Sequence, residues 1–245
     1  MKNLFYFTAL FSVLFLQGQV STFMYVSVSP ENQAEFERLE TTYWAKIAKK
    51  AIEDKKLIAW GLMKKVGMAG DDSNYIFVNI YEDFHTASNA GSIWNPAVIG
   101  MNYQEVSTDN IKVVKAIDYY QIEGTIQGPS KFNVHNYARP KNLGGFVEEN
   151  LTLWKPFIDK NIKLKRTKQT NWGIATRIYP SGSDAGYTVF TRDGYQSLED
   201  AMEALSFSSD YPTYLDEVMS KSKMSEYAPQ GFQQRIIYES IKWVN

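Results

Sequence analysis

An internal repeat constrains the fold of this chain more than any other feature of its sequence. Within residues 30–55, a shift of 110 positions superimposes eight pairs of identical residues. The pairs are Pro30/Pro140, Asn32/Asn142, Phe36/Phe146, Thr42/Thr152, Trp44/Trp154, Lys50/Lys160, Ile52/Ile162 and Lys55/Lys165. After a two-residue insertion, Trp60-Gly61 aligns with Trp172-Gly173. Four of the six tryptophans thus form aligned pairs, which predicts two copies of one structural unit.

Each copy shows the same order of predicted elements. The strands of the first copy are predicted at 23–28, 57–66, 75–81 and 113–122, and its helices at 30–52 and 83–105. The strands of the second copy are predicted at 131–138, 170–179, 187–192 and 232–244, and its helices at 142–162 and 197–224. The order β-α-β-β-α-β is that of a ferredoxin-like α+β unit.

A ferredoxin-like sheet carries helices on one face, so its other face also has to be covered. Two copies in one chain can cover each other. We therefore predict a pseudo-dimeric α+β barrel with a cavity between the two sheets. Its parts are a first repeat over 20–123, a linker over 124–130 and a second repeat over 131–245.

This architecture resembles the dimeric α+β barrel superfamily, which includes proteins similar to antibiotic-biosynthesis monooxygenases, NIPSNAP proteins, haem-degrading proteins and chlorite dismutases. The resemblance rests on element order, on the duplication and on segment 81–90, where a strand end runs into a helix as in the third strand and second helix of that family. Haem-degrading relatives carry an iron-ligating His on that helix, but His85 lies earlier than expected. Chlorite-dismutase-like members use a helical His in the later repeat, and this chain has none there. The cofactor therefore stays unknown.

The N-terminal segment has the pattern of a secretory signal peptide. Lys2 precedes an apolar run over 4–16, which is short of the ~20 residues that span a membrane. We expect residues 1–19 to be a signal peptide, the protein to be periplasmic or secreted, and no stable membrane insertion after cleavage; an uncleaved anchor is the alternative. Since the chain has no cysteine, burial between the repeats has to replace disulfides as a source of stability.

Strand alternation selects candidate site residues. In 75–81, one alternate set is the more apolar and is predicted to pack under the helices, so the other set faces the cavity. The predicted ligand-binding residues are Tyr25, Ser27, Tyr75, Asn79, Tyr187 and Thr191. His135 and Tyr137 share a face of one strand and form the candidate catalytic pair, because an imidazole can transfer protons near neutral pH.

Composition excludes several function classes. A net charge of −1 lacks the basic footprint of a nucleic-acid-binding protein. Zero cysteines and two histidines exclude thiolate catalysis, zinc ribbons and a three-His centre, and no metal site is predicted.

Three functions stay open. The first is an exported accessory protein that binds a small apolar or aromatic ligand in the cavity. The second is a monooxygenase-like enzyme that uses His135 and needs no cofactor. The third is a structural or interaction module without a ligand. The protein is expected to be a monomer or a homodimer.

Overall fold

A computed structural model describes residues 18–67, 73–206 and 213–245, so the predicted signal peptide lies outside it apart from its last two residues. The strands are β1 (Val20–Ser27), β2 (Ala59–Lys65), β3 (Tyr75–Tyr81), β4 (Val113–Ile126), β5 (Phe132–Ala138), β6 (Asn171–Tyr179), β7 (Val189–Tyr195) and β8 (Phe232–Val244). All neighbouring pairs are antiparallel, and the eight strands close into one barrel. The protein is therefore a mixed α+β molecule built on an eight-stranded barrel.

The order of strands around the barrel is β1-β3-β2-β8-β5-β7-β6-β4. Strands β1 to β4 are thus adjacent in the order β4-β1-β3-β2, and β5 to β8 follow in the order β8-β5-β7-β6. The two halves meet at β2–β8, where Gly61 pairs with Trp243, and at β4–β6, where Tyr120 pairs with Arg177. β4 runs to Ile126, four residues beyond its predicted end, and so extends into the predicted linker.

Each half has a long helix that contains a π-helical turn. In the first half, α1 (Gln33–Leu39) and α2 (Ala45–Glu53) flank the π turn Glu40–Trp44. In the second half, α5 (Leu143–Glu149) and α6 (Lys155–Lys163) flank the π turn Asn150–Trp154. Both helices end before a lysine in the left-handed conformation, Lys55 (φ 57°) and Lys165 (φ 54°). The π turns and the lysines are each 110 residues apart.

The predicted continuous helices at 83–105 and 197–224 are wrong. The first breaks into α3 (Phe84–Ser88), 3₁₀ turns at Ala90–Ile93 and Pro96–Ile99, and α4 (Tyr103–Val106). Pro96 cannot continue a helix, and Gly100 takes a left-handed φ of 72°. The second contains α7 (Leu198–Glu203), a 3₁₀ turn at Thr213–Leu215, α8 (Asp216–Met219) and α9 (Met224–Tyr227). No helix of the described ranges is long and apolar enough to cross a membrane.

Apolar side chains fill both sides of the barrel wall. Inside, one cluster joins residues from both halves, such as Phe23, Ile76 and Phe190. Outside, separate clusters under the helices contain Trp60 in the first half and Trp172 in the second, each 2% exposed. Apart from the exposed first residues of β4 and β8, the strands are thus largely buried on both faces, and this decides where buried polar groups can lie.

We predict that Gly61→Ala lowers the free energy of unfolding by about 1–3 kcal/mol, measured by urea denaturation followed by far-UV circular dichroism. An added Cβ would overlap the ring of Trp243, its partner across the β2–β8 seam. Gly173→Ala is the matched control, because a Cβ there makes ordinary contacts of 3.7–3.9 Å. Equal losses in the two variants would contradict this account of the seam.

Candidate functional site

One end of the barrel interior holds tyrosines around a buried ion pair. Asp118, 2% exposed, accepts hydrogen bonds from the hydroxyls of Tyr120 (2.9 Å) and Tyr187 (2.7 Å). Nη2 of Arg177 lies 2.9 Å from the other carboxylate oxygen. The Tyr25 hydroxyl lies 3.4 Å from the hydroxyls of both tyrosines. Burial raises the pKa of Tyr187 to about 12 and that of Tyr25 well above its usual value, so the phenols are neutral and bond one another.

His135 lies in the middle of the interior, among aromatic rings. It is 1% exposed, and its ring stacks on Phe190 with centroids 5.2 Å apart. Its Nδ1 lies 3.4 Å from the Tyr137 hydroxyl. Burial, together with the charge of Arg192, lowers the pKa of His135 to about 3. A base with so low a pKa is poorly matched to proton transfer near neutral pH, so this imidazole is better suited to hydrogen bonding.

A cavity of about 190 Å³, here called the end cavity, lies at the barrel end opposite the tyrosines. Its apolar walls include Phe23, Met63, Val78, Ile80, Phe190 and Trp243. Residues with polar side chains also line it: Gln19, Ser21, Thr125, Gln127, His135, Arg192 and Asn245. Among the described residues, Ser21 Oγ and His135 Nε2 have no hydrogen-bond partner.

A larger pocket of about 550 Å³ lies outside the barrel wall of the second half, under the helices. We call it the helix-side pocket. Its aromatic lining includes Phe146, Trp154, Phe157, Trp172, Tyr195 and Tyr214. A mostly apolar pocket of this size with a few polar groups is typical of small-molecule sites.

Strands β5 and β7 give the helix-side pocket a polar wall. Nδ2 of Asn136 donates to the Asp193 carboxylate (2.6 Å) and to Thr191 Oγ1 (3.2 Å). Gln169 Nε2 donates to the second oxygen of Asp193 (2.8 Å), and Arg235 Nε donates to Asn136 Oδ1 (2.7 Å). Burial raises the pKa of Asp193, against the effect of these donors. The wall is therefore held rigidly by its own hydrogen bonds.

A helix supplies a further polar group of this pocket. Asn161 on α6 is 2% exposed, and its Nδ2 donates to the Phe157 carbonyl (2.8 Å). Its Oδ1 has no partner in the described part of the chain. A buried acceptor left unbonded costs about 1–3 kcal/mol. A ligand with a hydrogen-bond donor would satisfy it.

The corresponding space in the first half is smaller, about 260 Å³. Its lining includes Trp44, Trp60, Phe77, Asn79, Trp94 and Tyr103. It also contains Glu40, which begins the first π turn as Asn150 begins the second. Thr108 Oγ1 donates to the Glu40 carboxyl group (2.6 Å). Burial raises the pKa of Glu40 to about 7, although Thr108 and the charge of Lys112 oppose the shift.

The predicted faces of β3 are wrong. Three alternate residues pack toward the barrel interior: Ile76, Val78 and Ile80. Tyr75 and Asn79 therefore lie on the helix side, where Tyr75 donates to Glu37 (2.6 Å) and Asn79 Nδ2 donates to Thr22 (3.0 Å). They do not line a cavity between the sheets. The barrel interior is itself an apolar core, so it takes the more apolar set.

The same reversal applies to β7. Thr191, expected to face the cavity between the sheets, lines the helix-side pocket, while Arg192 faces the interior. For this reason Arg192 was not predicted as a site residue. The feature that could have indicated it is a cation inside an otherwise largely buried strand. Of the other predicted residues, Tyr25 and Tyr187 lie in the tyrosine cluster, and Ser27 lies at the end of β1, paired with Val113.

No protein-family model matches the chain, and no curated protein resembles it significantly. Solved structures do resemble it. A candidate monooxygenase from Lactobacillus acidophilus NCFM is 10% identical, aligns over 93% of this chain and 96% of its own, and gives a TM-score of 0.53. An anthrone oxidase-like protein is 8% identical over 93% of each chain, with a TM-score of 0.54. A heme-binding protein from Thermus thermophilus is 10% identical over 92% of each chain, with a TM-score of 0.51.

At such low identity these likenesses show the fold. The chain has the α+β barrel fold of monooxygenase-like and heme-binding proteins, over nearly its whole length. Which ligand or reaction it serves has to be argued from its own residues.

The donors around the helix-side pocket do not fit a haem iron. Its described lining residues include neither histidine nor cysteine. His85 lies exposed on α3 in the other half, and His135 is enclosed by rings beside a cavity of about 190 Å³. The described residues also contain no group of three His, Cys, Asp or Glu that could hold a metal ion. No haem chemistry follows from this arrangement.

We predict that Glu40→Gln makes the protein more stable at pH 8 by about 2–3 kcal/mol. The pKa of Glu40 is about 7 in the folded chain and 4.5 ordinarily, so the folded state holds the proton more tightly. The free energy of unfolding therefore falls as the pH rises from about 4.5 through about 7, and the glutamine variant lacks this fall. Urea denaturation between pH 5 and pH 8 measures it.

Glu35→Gln is the control, because Glu35 is exposed and pairs only with Arg38 in this arrangement. Parallel pH profiles for wild type and Glu40→Gln would show that Glu40 does not titrate as inferred.

Proposed function

We propose that this protein binds a small aromatic molecule in the helix-side pocket and does not transform it. The observation that carries the proposal is an aromatic-lined space of about 550 Å³ with one unbonded buried acceptor, Asn161 Oδ1, on its wall. Shared fold with heme-binding and monooxygenase-like proteins supports a ligand-binding role.

The chemistry of the walls indicates the class of ligand. Indole and phenyl rings such as Trp154, Trp172 and Phe157 favour a flat, apolar body. The polar atoms that are free or negatively polarised, Asn161 Oδ1 and the Asp193 carboxylate, are acceptors. We therefore propose a neutral aromatic molecule with a hydroxyl or amino donor.

The proposal extends to the architecture: the halves are tandem copies of one ferredoxin-like unit, over 20–123 and 131–245. Three observations support it beyond the sequence repeat. Both halves order their four strands alike, both contain a π turn 110 residues apart, and both end the long helix at a left-handed lysine. Because one chain closes the whole barrel, a monomer is our preferred state over a homodimer.

Export is proposed from the sequence alone, with residues 1–19 as a signal peptide. We predict that intact mass and N-terminal sequencing of protein purified from its native host show a chain that starts near Gly18 to Val20. A chain that retains Met1 to Gln17 would overturn cleavage and leave the uncleaved anchor as the interpretation.

A monooxygenase-like enzyme is the second candidate, since the fold is shared and His135 lies beside Tyr137 in the interior. Under that hypothesis His135→Ala abolishes turnover; under ours it leaves binding in the helix-side pocket unchanged. The low pKa of His135, caused by burial, favours binding. A module without a ligand is the third hypothesis, and the helix-side pocket argues against it.

We predict that 2-naphthol binds about 3- to 10-fold more tightly than 2-methoxynaphthalene, because only the naphthol can donate to Asn161 Oδ1. In Asn161→Leu the two affinities become equal. Naphthalene fluorescence titration measures both. Asn89→Leu, at an exposed asparagine after α3, is the matched control and keeps the difference.

Mass spectrometry of small molecules that co-purify from the native host identifies the natural ligand. No saturable binding of either naphthalene, together with no co-purifying molecule, would refute the proposed function. Equal binding of the two probes by wild type would refute the donor requirement.

A further inference from the structure

The end cavity differs from the helix-side pocket in place and in chemistry. It lies inside the barrel, where β1 begins and β8 ends, and residues from both halves line it. Aromatic and aliphatic side chains form most of its wall, and Phe23 and Phe190 lie next to the imidazole of His135. Among its polar lining residues, Arg192 is a cation, and Ser21 and His135 carry buried atoms that have no partner in the described part of the chain.

Arg192 is the cation. Strand alternation turns it inward, to the face of its partner His135, while its neighbour Asp193 bonds Asn136 on the helix side. Within the described ranges, the Arg192 guanidinium has no ion pair within 4 Å and no side-chain hydrogen bond, although the charge of Asp193, the next residue, attracts it from the helix side. A guanidinium keeps its charge in proteins, and no described Asp or Glu side chain lines the end cavity that it faces.

The guanidinium of Arg177, which also faces the barrel interior, has a carboxylate partner. That guanidinium, at the opposite barrel end, pairs with Asp118 at 2.9 Å, and two tyrosines bond the same carboxylate. A buried charge without a close partner is strongly unfavourable. Arg192 has no such ion pair among the described residues, and this contrast supports a ligand as the partner of its guanidinium.

Two further groups complete the site. Ser21 is 3% exposed and His135 is 1% exposed, and both line the cavity with an unbonded Oγ and Nε2. When Nδ1 of the neutral His135 accepts from the Tyr137 hydroxyl, Nε2 carries the proton and can donate into the cavity. The site thus offers one cation and two neutral hydrogen-bonding groups.

We propose that the end cavity binds a small aromatic monocarboxylate, with its carboxylate on Arg192, Ser21 and His135 and its ring against Phe23 and Phe190. One cation matches one negative charge. A dry cavity of about 150 Å³ accommodates benzene in a well-studied protein, so about 190 Å³ suits a molecule of benzoate size. This site is independent of the proposed ligand of the helix-side pocket.

Benzoate, benzyl alcohol and phthalate are the probes, studied with the whole chain by calorimetric titration and thermal unfolding. Benzoate is expected to raise the melting temperature by about 5–10 °C at roughly 100 times its Kd. Benzyl alcohol, which has no charge, and phthalate, which has two, are expected to bind at least about 10-fold more weakly. Equal affinity for benzoate and benzyl alcohol, or no binding of benzoate, would overturn the proposal.

Arg192→Met tests the residue. It is expected to lower benzoate affinity at least about 10-fold and to leave the affinity for uncharged benzyl alcohol unchanged. Loss of a merely structural arginine would not discriminate between the two ligands. Arg139→Met, at an exposed arginine just after β5, is the control and should change neither property.

Further outcomes distinguish a failure of the end cavity proposal from a failure of the helix-side pocket proposal. If Arg192→Met does not fold, the wild-type ranking of benzoate over benzyl alcohol still decides the proposal. Asn161→Leu should leave benzoate binding unchanged while it removes the naphthol preference. Failure of one site therefore leaves the other intact, and loss of benzoate binding in Asn161→Leu would contradict the assignment to the end cavity.

Discussion

Hydrogen bonding across two seams, β2 with β8 and β4 with β6, closes the barrel, and the rest of the structure depends on this closure. It turns the inner faces of both half-sheets toward one another, and helices already cover the outer faces. Apart from the exposed first residues of β4 and β8, the strands are then largely buried on both sides, as the interior and helix-side clusters show. Most buried polar side chains on these strands either bond one another or line a cavity.

Burial on both faces also decides how far the sequence could predict this molecule. The α+β class, the eight strands and the long helices with Trp44 and Trp154 could be predicted, because each depends on local pattern. The faces of β3 could not. In Tyr75–Tyr81 both alternate sets are largely apolar, so alternation carries no information about which side is the interior. If one residue of a strand is assigned to the wrong face, all the other residues of that strand are assigned to the wrong face as well.

Because of that error, the sequence did not point to Arg192, on which the second proposed binding site depends. The reversed face of β7 predicts Thr191 in the cavity between the sheets and leaves Arg192 out, whereas the shared face of His135 and Tyr137 on β5 does point into the interior. Pockets formed by three or more distant elements, such as the helix-side pocket around Asn161, depend on packing that no local pattern encodes.

The two halves use corresponding positions differently. Glu40 and Asn150 both begin π turns, yet one is a buried carboxyl group bonded by Thr108 and the other a neutral amide. Ala51 aligns with Asn161, so the unbonded acceptor of the helix-side pocket has no counterpart at that position of the first half. The spaces beside them are about 260 Å³ and about 550 Å³. The helix-side spaces of the two halves thus differ about twofold in volume.

Three of the buried polar atoms that have no partner among the described residues line the two proposed sites: Asn161 Oδ1 in the helix-side pocket, and Ser21 Oγ and His135 Nε2 in the end cavity. Other such atoms, on Asn171, Arg177 and Thr188, lie outside both sites, so a missing partner alone does not mark a site. What distinguishes the two sites is an unbonded atom beside open space, where a ligand can supply the missing partner. In the end cavity Arg192 adds a charge that has no ion pair in the described part of the chain, whereas Arg177 pairs with Asp118.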